Sequence, residues 1–314
     1  MQSTQTWLTR SCRAGGVFGI HSSQQGWVPE VPPALPLVVV ALCMGLLAGC
    51  HSLKLTPQKE EHDPGVAAPG KCSVRVSQFV FLADFKLRED LPLFRELSDM
   101  RDQIHKDLKL PSSNSVVQVY LFEDKERYER YMHAKYPQLP SRRAFFVGGG
   151  KDLLVYTYWG DRIQQDLRHE LTHALLHSVL VTVPMWLDEG LAEYYELPPR
   201  NKGVNAAHVD KLRHGVDGPA RLSLARLELL TDDDVEKMHP AEYQESWAWV
   251  HLMLHSTPQA KAVLLQYLQY LRATPTPKNR RQLLPSLAEV FPKPEEVLEK
   301  HLAELDEEGE HARR

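Results

Sequence analysis

Two histidines with a glutamate between them carry the most specific chemical signal in this sequence. His169 and His173 are four residues apart in the stretch RHELTH, and Glu170 directly follows the first of them. On a helix this spacing puts both imidazoles on one face, about 6 Å apart at their bases, so that both can bind one cation. Glu170 would point towards the ion without binding it, as a general base for water must. The stretch therefore predicts a Zn²⁺ site with His169 and His173 as ligands.

A catalytic zinc ion needs a third protein ligand in addition to these histidines. His177 is excluded because it lies eight residues after His169, which is about 12 Å along a helix axis. Pro184 ends the first helical pattern, and MWLDEGLAEYYE begins another one. We expect this second helix to fold back and to supply a carboxylate. The candidates are Asp188, Glu189 and Glu193.

Together, these two segments resemble the gluzincin clan of zinc metallopeptidases. HELTH is followed after fifteen residues by Glu189, and the surrounding WLDEGLAEY is similar to the WLxEGxAxY segment of the aminopeptidase branch and of peptidase MA-like domains. The resemblance implies that Glu189 is the third ligand. It also implies that Glu193, one turn further, accepts a hydrogen bond from a ligand histidine. Gly190 would let the second helix approach the first closely.

A weaker resemblance concerns residues 242–254, EYQESWAWVHLML, which are similar to the YExGxA helix start of the aminopeptidase gluzincins. It implies that Tyr243 donates a hydrogen bond to the oxyanion of the reaction. Otherwise Tyr243 is an aromatic residue of the core, and Glu193 is a solvated acid. His251 and His255 form a second pair four residues apart without an acid between them. We expect them to be partly exposed rather than a second metal site.

The elements that position these residues predict an α+β fold. Alternating apolar residues indicate strands at 74–85 and 115–122, and helical spacing indicates helices at 91–110 and 124–137. RAFFVGGGKDLLVYTYW predicts a hairpin with a glycine-rich turn, and the pattern is helical from Asp161 almost to the end. We expect a small N-terminal mixed sheet with helices (73–160), packed on a mostly helical half (161–308) with a thermolysin- or aminopeptidase-like zincin core. Strand 153–158 would offer an edge to an extended peptide.

The N-terminal segment predicts an exported lipoprotein. Leu35–Cys50 is a short apolar run, and its end, LAGC, resembles a bacterial lipobox. This implies a signal peptide at 1–49, a lipid on Cys50, a flexible tether at 50–72 and attachment to a membrane of the cell envelope, facing the periplasm or the exterior. Cys72 would then have no partner, so that no internal disulfide is expected.

The formal net charge of −4 gives no electrostatic argument for nucleic-acid binding. The sequence therefore predicts a membrane-tethered zinc metallopeptidase that acts on a peptide or protein. One Zn²⁺ would be held by His169, His173 and Glu189, with Glu170 as base and Tyr243 as oxyanion donor. The alternative is a catalytically silent binding module in which the metal only stabilises the fold. No GAMEN-like anchor for a peptide amino terminus is recognisable, which disfavours an aminopeptidase.

Overall fold

The computed structural model of the chain describes residues 67–149, 152–215, 220–231, 238–275 and 281–313, with the side chains of 149 and 308–313 left out. The predicted signal peptide 1–49, Cys50 and most of the tether lie outside the described residues, as do two residues of the glycine-rich turn, Gly150 and Lys151. No helix of the described ranges is long and apolar enough to span a membrane.

A five-stranded mixed sheet forms the N-terminal part, as expected. Its strands are β1 (Cys72–Val76), β2 (Phe79–Ala83), β3 (Val117–Phe122), β4 (Ala144–Gly149) and β5 (Asp152–Tyr158). They are ordered β1-β2-β3-β5-β4. The three inner strands are parallel to one another, whereas β1 and β4 run antiparallel to their neighbours.

Two details of the predicted sheet are wrong. The single strand expected at 74–85 is a hairpin, because Ser77 adopts a left-handed conformation with φ 57° and turns the chain between β1 and β2. The strand expected to offer a free edge, β5, pairs on both sides with β3 and β4. The edge on this side of the described sheet is therefore β4.

Helices make up most of the remaining described chain, which confirms the α+β class. They are α1 (Pro92–Asp107), α2 (Lys125–Lys135), α3 (Ile163–His177), α4 (Met185–Tyr195), α5 (Ala206–His214), α6 (Leu224–Leu227), α7 (Pro240–His255), α8 (Pro258–Ala273), α9 (Leu284–Val290) and α10 (Pro294–Arg313). A short 3₁₀ turn, Pro199–Asn201, follows α4.

Helix α3 joins the sheet to the helical half. Leu167, Leu171 and Leu175 recur every four residues along one stripe and are fully buried, as an amphipathic helix requires. α3 packs on β4, β5 and α1 on one side and on α4 on the other. One hydrophobic core therefore runs through both parts of the chain, and contacts with the sheet and with α4 together fix the position of α3.

The expectation of an unpaired Cys72 is wrong. This residue is disulfide-bonded, and the other three cysteines of the chain lie outside the described residues. Cys72 would be alone only if Cys50 carried a lipid and Cys12 and Cys43 were removed with a signal peptide.

Gly190 allows a close helix contact, but with a different helix from the one expected. A Cβ atom built on Gly190 would lie 2.5 Å from the carbonyl oxygen of Ser246 and 3.0 Å from a methyl of Val250. Both residues belong to α7 rather than α3. The glycine therefore sets the distance between α4 and the helix that begins near Tyr243.

His251 also departs from the expectation of partial exposure. Its side chain is 2% exposed, and Nδ1 lies 2.8 Å from Nε2 of His301 on α10. Burial, reinforced by the neighbouring His255 and His301, lowers the pKa of His251 to about 3. The imidazole is therefore neutral in the folded protein at physiological pH. His255 is exposed, as expected.

We expect Gly190→Ala to destabilise the fold. Overpacking against a backbone carbonyl costs about 1–3 kcal/mol, while the better helix propensity of alanine returns at most about 1 kcal/mol. Chemical denaturation measures the difference. Gly70→Ala is the matched control, because a Cβ there meets nothing within 4 Å. Equal stability of the two variants would contradict the close contact between α4 and α7.

We expect His251 to destabilise the protein in acid. Between pH ~3 and ~6.5 the unfolded chain binds one more proton at this residue, so that stability is intact above this window and falls as the pH drops through it. Replacing His251 by Gln should make the acid loss shallower, by up to about 1.4 kcal/mol per pH unit. Denaturation of the metal-free protein at several pH values measures this, with the exposed His133→Gln as control. Identical slopes in wild type and His251→Gln would contradict a buried neutral imidazole.

Candidate metal centre

Helices α3 and α4 bring three ligand atoms to one point. Nε2 of His169 lies 3.5 Å from Oε2 of Glu189, and Nε2 of His173 lies 3.6 Å from the same oxygen. All three atoms lie within 4.8 Å of one another. The structure thus brings together the three residues that the sequence predicted as ligands.

The geometry and burial of this group fit a tetrahedral divalent ion. Bonds of 2.0–2.1 Å to zinc separate neighbouring ligand atoms by about 3.3 Å, close to the observed 3.5 and 3.6 Å. Oε2 of Glu189 is buried and has no hydrogen-bond partner among the described residues. Such an atom costs free energy unless a cation or donor satisfies it. Two imidazole nitrogens and one carboxylate oxygen are a donor set that suits zinc.

A short reversal of the chain places Glu189 opposite the histidines. α3 ends at His177, and residues 178–184 turn back before α4 begins after Pro184. Leu180 and Val183 in this turn are buried in the core, and Ser113 donates a hydrogen bond to the carbonyl of Ser178. Core packing and this hydrogen bond therefore fix the turn, and the first turns of α4 lie against the histidine face of α3.

A carboxylate lies behind each of the two histidines. Nδ1 of His169 is 3.1 Å from Oε2 of Glu196, and Nδ1 of His173 is 3.0 Å from Oδ1 of Asp188. Carboxylates in this position fix the tautomer and the orientation of ligand imidazoles, with Nε2 towards the ion. The contact of Asp188 with His173 is a close approach of charged groups rather than a hydrogen bond, because neither atom has a hydrogen-bond partner among the described residues. Asp188 does form a hydrogen bond with His177, at 2.9 Å from its Nε2. Asp188 therefore faces the outer side of His173. The oxygen that lies next to Nε2 of both histidines belongs to Glu189, so the geometry favours Glu189 over Asp188 as the third ligand.

The supporting role that the resemblance assigned to Glu193 belongs to Glu196 in the structure. Glu193 contacts His208 instead, with Oε2 2.8 Å from Nε2. Glu196 follows Glu189 by seven residues, almost two full helical turns, and so returns to the same face of the chain. Oxygens of Glu193 and Glu196 and a nitrogen of His169 do lie within 4.8 Å of one another. Yet only Glu196 forms a hydrogen bond to the imidazole.

Glu196 is itself held firmly from α3. Gln165 donates a hydrogen bond to its Oε1. The guanidinium of Arg168, 5% exposed, donates to the backbone carbonyls of Glu196 and Leu197. Burial lowers the pKa of Arg168 to about 10, although Glu96 and Glu196 oppose this. The residue next to His169 thus anchors the end of α4.

The electrostatics of the site favour bound positive charge. Burial opposes protonation of His173, but Asp188 and Glu189 outweigh it and raise its pKa to about 10. Burial likewise opposes ionisation of Glu189, but His173 and His169 outweigh it and lower its pKa to about 2. Without an ion, protons on the imidazoles take the place of the missing charge. A bound divalent cation would displace these protons and supply two positive charges at the same position.

Glu170 lies beside the two histidines and is half-buried. Burial raises its pKa, while the two histidines partly oppose this. The ring of Phe146, on the edge strand β4, stacks over His173 and His177 at 6.2 and 5.4 Å between centroids. The edge strand therefore forms one wall of the site.

Tyr243 stands on the opposite side, in the first turn of α7. Burial raises the pKa of its phenol, and the next largest effect comes from Glu189, which places the ring in the electrostatic reach of the ligands. Its hydroxyl accepts a hydrogen bond from Arg142, at 3.3 Å. Sequence reasoning missed Arg142, because it lies 101 residues from Tyr243 and no local pattern links the two. Glu196 could have been predicted from the sequence, because it follows Glu189 by seven residues, about two helical turns. The family resemblance pointed instead to Glu193, four residues after Glu189.

We expect Glu196→Ala to weaken zinc binding by about 10- to 100-fold, because His169 loses the partner that orients it. Glu193→Ala removes a carboxylate of similar burial that contacts His208, and we expect a smaller effect. Competition with a chromophoric chelator measures both affinities, and circular dichroism checks that both variants fold. A larger loss in Glu193→Ala would return the supporting role to that residue.

Residues 165–276 match a family described as a protein of unknown function (DUF1570). This segment contains the three candidate ligand residues as well as Glu170, Glu196 and Tyr243, whereas Arg142 and the edge strand precede it. No curated protein matches the chain. The similarity therefore covers the candidate metal centre and is silent on its activity.

Proposed function

We propose that this protein is a zinc-dependent metallopeptidase of gluzincin type. The observation that carries the proposal is the buried Oε2 of Glu189, which has no hydrogen bond in the described residues and lies 3.5 and 3.6 Å from two histidine nitrogens. His169, His173 and Glu189 would hold the ion. When bound, zinc supplies Lewis-acid chemistry, lowering the pKa of a coordinated water and polarising a carbonyl.

Glu170 moves the proton in the proposed reaction. Its position next to His169 and its half-buried carboxyl suit a general base for the attacking water, and Glu170 would then pass the proton to the leaving amine. Burial raises its pKa, which brings its basicity closer to neutral pH, where proton transfer in both directions is efficient. A metal that only stabilises a fold needs no acid at this position.

Tyr243 supplies a hydrogen-bond donor to the oxyanion. Its oxygen accepts from Arg142, so that its own O–H proton remains free to donate. The positive charge of Arg142 works against the burial that raises the phenol pKa. A donor aimed at the developing negative charge is worth about 3 kcal/mol of transition-state stabilisation in enzymes that use one.

The edge strand β4 offers a surface for an extended peptide. It pairs with β5 on one side only among the described strands, and Phe146 of this strand stacks on His173 and His177. A peptide added to this edge would run along the wall of the metal site. The role first assigned to β5 is thereby transferred to its neighbour.

The proposed location remains the cell envelope, through a lipid on Cys50. This residue lies outside the described part of the chain. Cys72 takes part in a disulfide, and a sulfur in a disulfide carries no thioether-linked lipid. The identity of the partner of Cys72 thus determines whether Cys50 is available for acylation, and mass spectrometry of the protein from membranes answers this directly.

The second candidate is a binding module that keeps zinc as a structural element. The tight hydrogen bonding around His169 and Glu196 favours it, because a structural site requires rigid ligands. It leaves Glu170 and the phenol of Tyr243 without a function. Zinc analysis together with an unbiased peptide-cleavage assay separates the two, since bound zinc with no cleavage of any library member would support the module.

We expect Glu170→Gln to bind zinc as tightly as wild type and to lose hydrolysis by at least about 10²- to 10⁴-fold, because the amide cannot take the proton. His173→Ala should lose both zinc and activity. Elemental analysis and cleavage of a library-selected peptide give the two readouts. Normal turnover by Glu170→Gln would refute the assigned base.

A further inference from the structure

An exposed guanidinium stands at the mouth of the proposed active site. Arg142 precedes β4, and Nη2 donates to the hydroxyl of Tyr243 at 3.3 Å. Its guanidinium carbon lies 6.0 Å from the ring centroid of Phe145 on the edge strand. A guanidinium has five N–H donors, of which the described residues engage one. Arg142 thus has a fixed place and free hydrogen-bonding capacity.

The neighbouring arginine shows what a purely structural guanidinium looks like in the same segment. Arg143 forms ion pairs with Asp161 and Asp166, both at 3.0 Å, and lies 5.2 Å over the ring of Tyr158. Its charge is neutralised inside the protein. Arg142 makes no ion pair with any carboxylate of the described residues, although the nearby site is rich in them.

We propose that Arg142 binds a carboxylate of the peptide substrate and so selects substrates with a negative charge near the cleaved bond. The inference rests on the proposed peptidase function. The carboxylate is either the C-terminal group of a short peptide or an Asp or Glu side chain, because a guanidinium binds both in the same bidentate geometry. Arg142 is exposed, is held by Tyr243 and forms no ion pair with a carboxylate of the described residues, so that its charge is available to a substrate carboxylate.

The position of Arg142 along the edge strand sets where this carboxylate lies. Arg142 lies two residues before the strand Ala144–Gly149 and contacts Phe145 at its start. Phe146 stacks on His173, one of the proposed ligands. In a peptide paired with β4, a carboxylate that contacts Arg142 would therefore lie only a few residues from the peptide bond that is cleaved at the proposed ion.

Arg142 has a competing role as a positioning residue for Tyr243, and kinetics distinguish the two. A residue that only aims the phenol changes kcat for every substrate equally. A carboxylate anchor changes KM, or kcat/KM, for carboxylate substrates and leaves neutral ones almost unchanged. The two roles thus predict different patterns across matched peptides.

The experiment uses N-acetylated peptide pairs with the zinc-loaded protein. One set compares free and amidated C-termini, and a second compares Asp and Glu with Asn and Gln at single positions. Binding and cleavage are both measured for wild type, Arg142→Gln and Arg142→Lys. The control is Arg130→Gln, an exposed arginine of α2.

We expect wild type to prefer one class of carboxylate peptides by about 10- to 100-fold, the range for hydrogen bonds to a charged group. Arg142→Gln should abolish this preference, Arg142→Lys should keep part of it, and Arg130→Gln should match wild type. Cleavage without any carboxylate preference, or an equal kcat loss on all substrates in Arg142→Gln, overturns the proposal while the peptidase stands. Arg142-dependent binding of carboxylate peptides without cleavage supports the anchor and refutes the peptidase.

Discussion

The buried carboxylate of Glu189, held against two imidazoles, is the interaction on which the helical half of this protein depends. At 9% exposure it has lost most of its hydration, and no hydrogen bond among the described residues replaces it at Oε2. Burying a charge in this way is costly unless an opposite charge is close. The two histidines lie close enough to supply that charge when protonated, and the proposed ion would supply it in their place, which would couple folding to metal binding.

The surrounding structure keeps the three ligands in place through a layer of carboxylates and their own supports. Asp188 and Glu196 face the outer nitrogens of the histidines, and Gln165 and Arg168 hold Glu196 and the end of α4. Gly190 brings α7 against α4 on the side away from α3. The same close contact that stabilises the fold thus decides how near Tyr243 stands to the ligands.

Several parts of the site were open to prediction because they depend on local periodicity. The spacing of His169 and His173 fixes their common face on any helix, and the break at Pro184 requires a second helix to return. The class of fold followed from alternating and helical patterns in the same way. Glu193 was misjudged because a four-residue interval places two side chains near each other on a helix without deciding which one meets a group on another helix.

The sequence by itself determined that His169 and His173 share one face of a helix, that a second helix carries the neighbouring carboxylates and that the fold is α+β, since these follow from short-range backbone geometry. Only the tertiary structure decided that Glu196 supports His169, that β4 is the edge strand, that His251 is buried and that Arg142 reaches Tyr243. Each of these depends on contacts between segments far apart in the chain. Such contacts are set by how the core packs as a whole, and no local spacing encodes them.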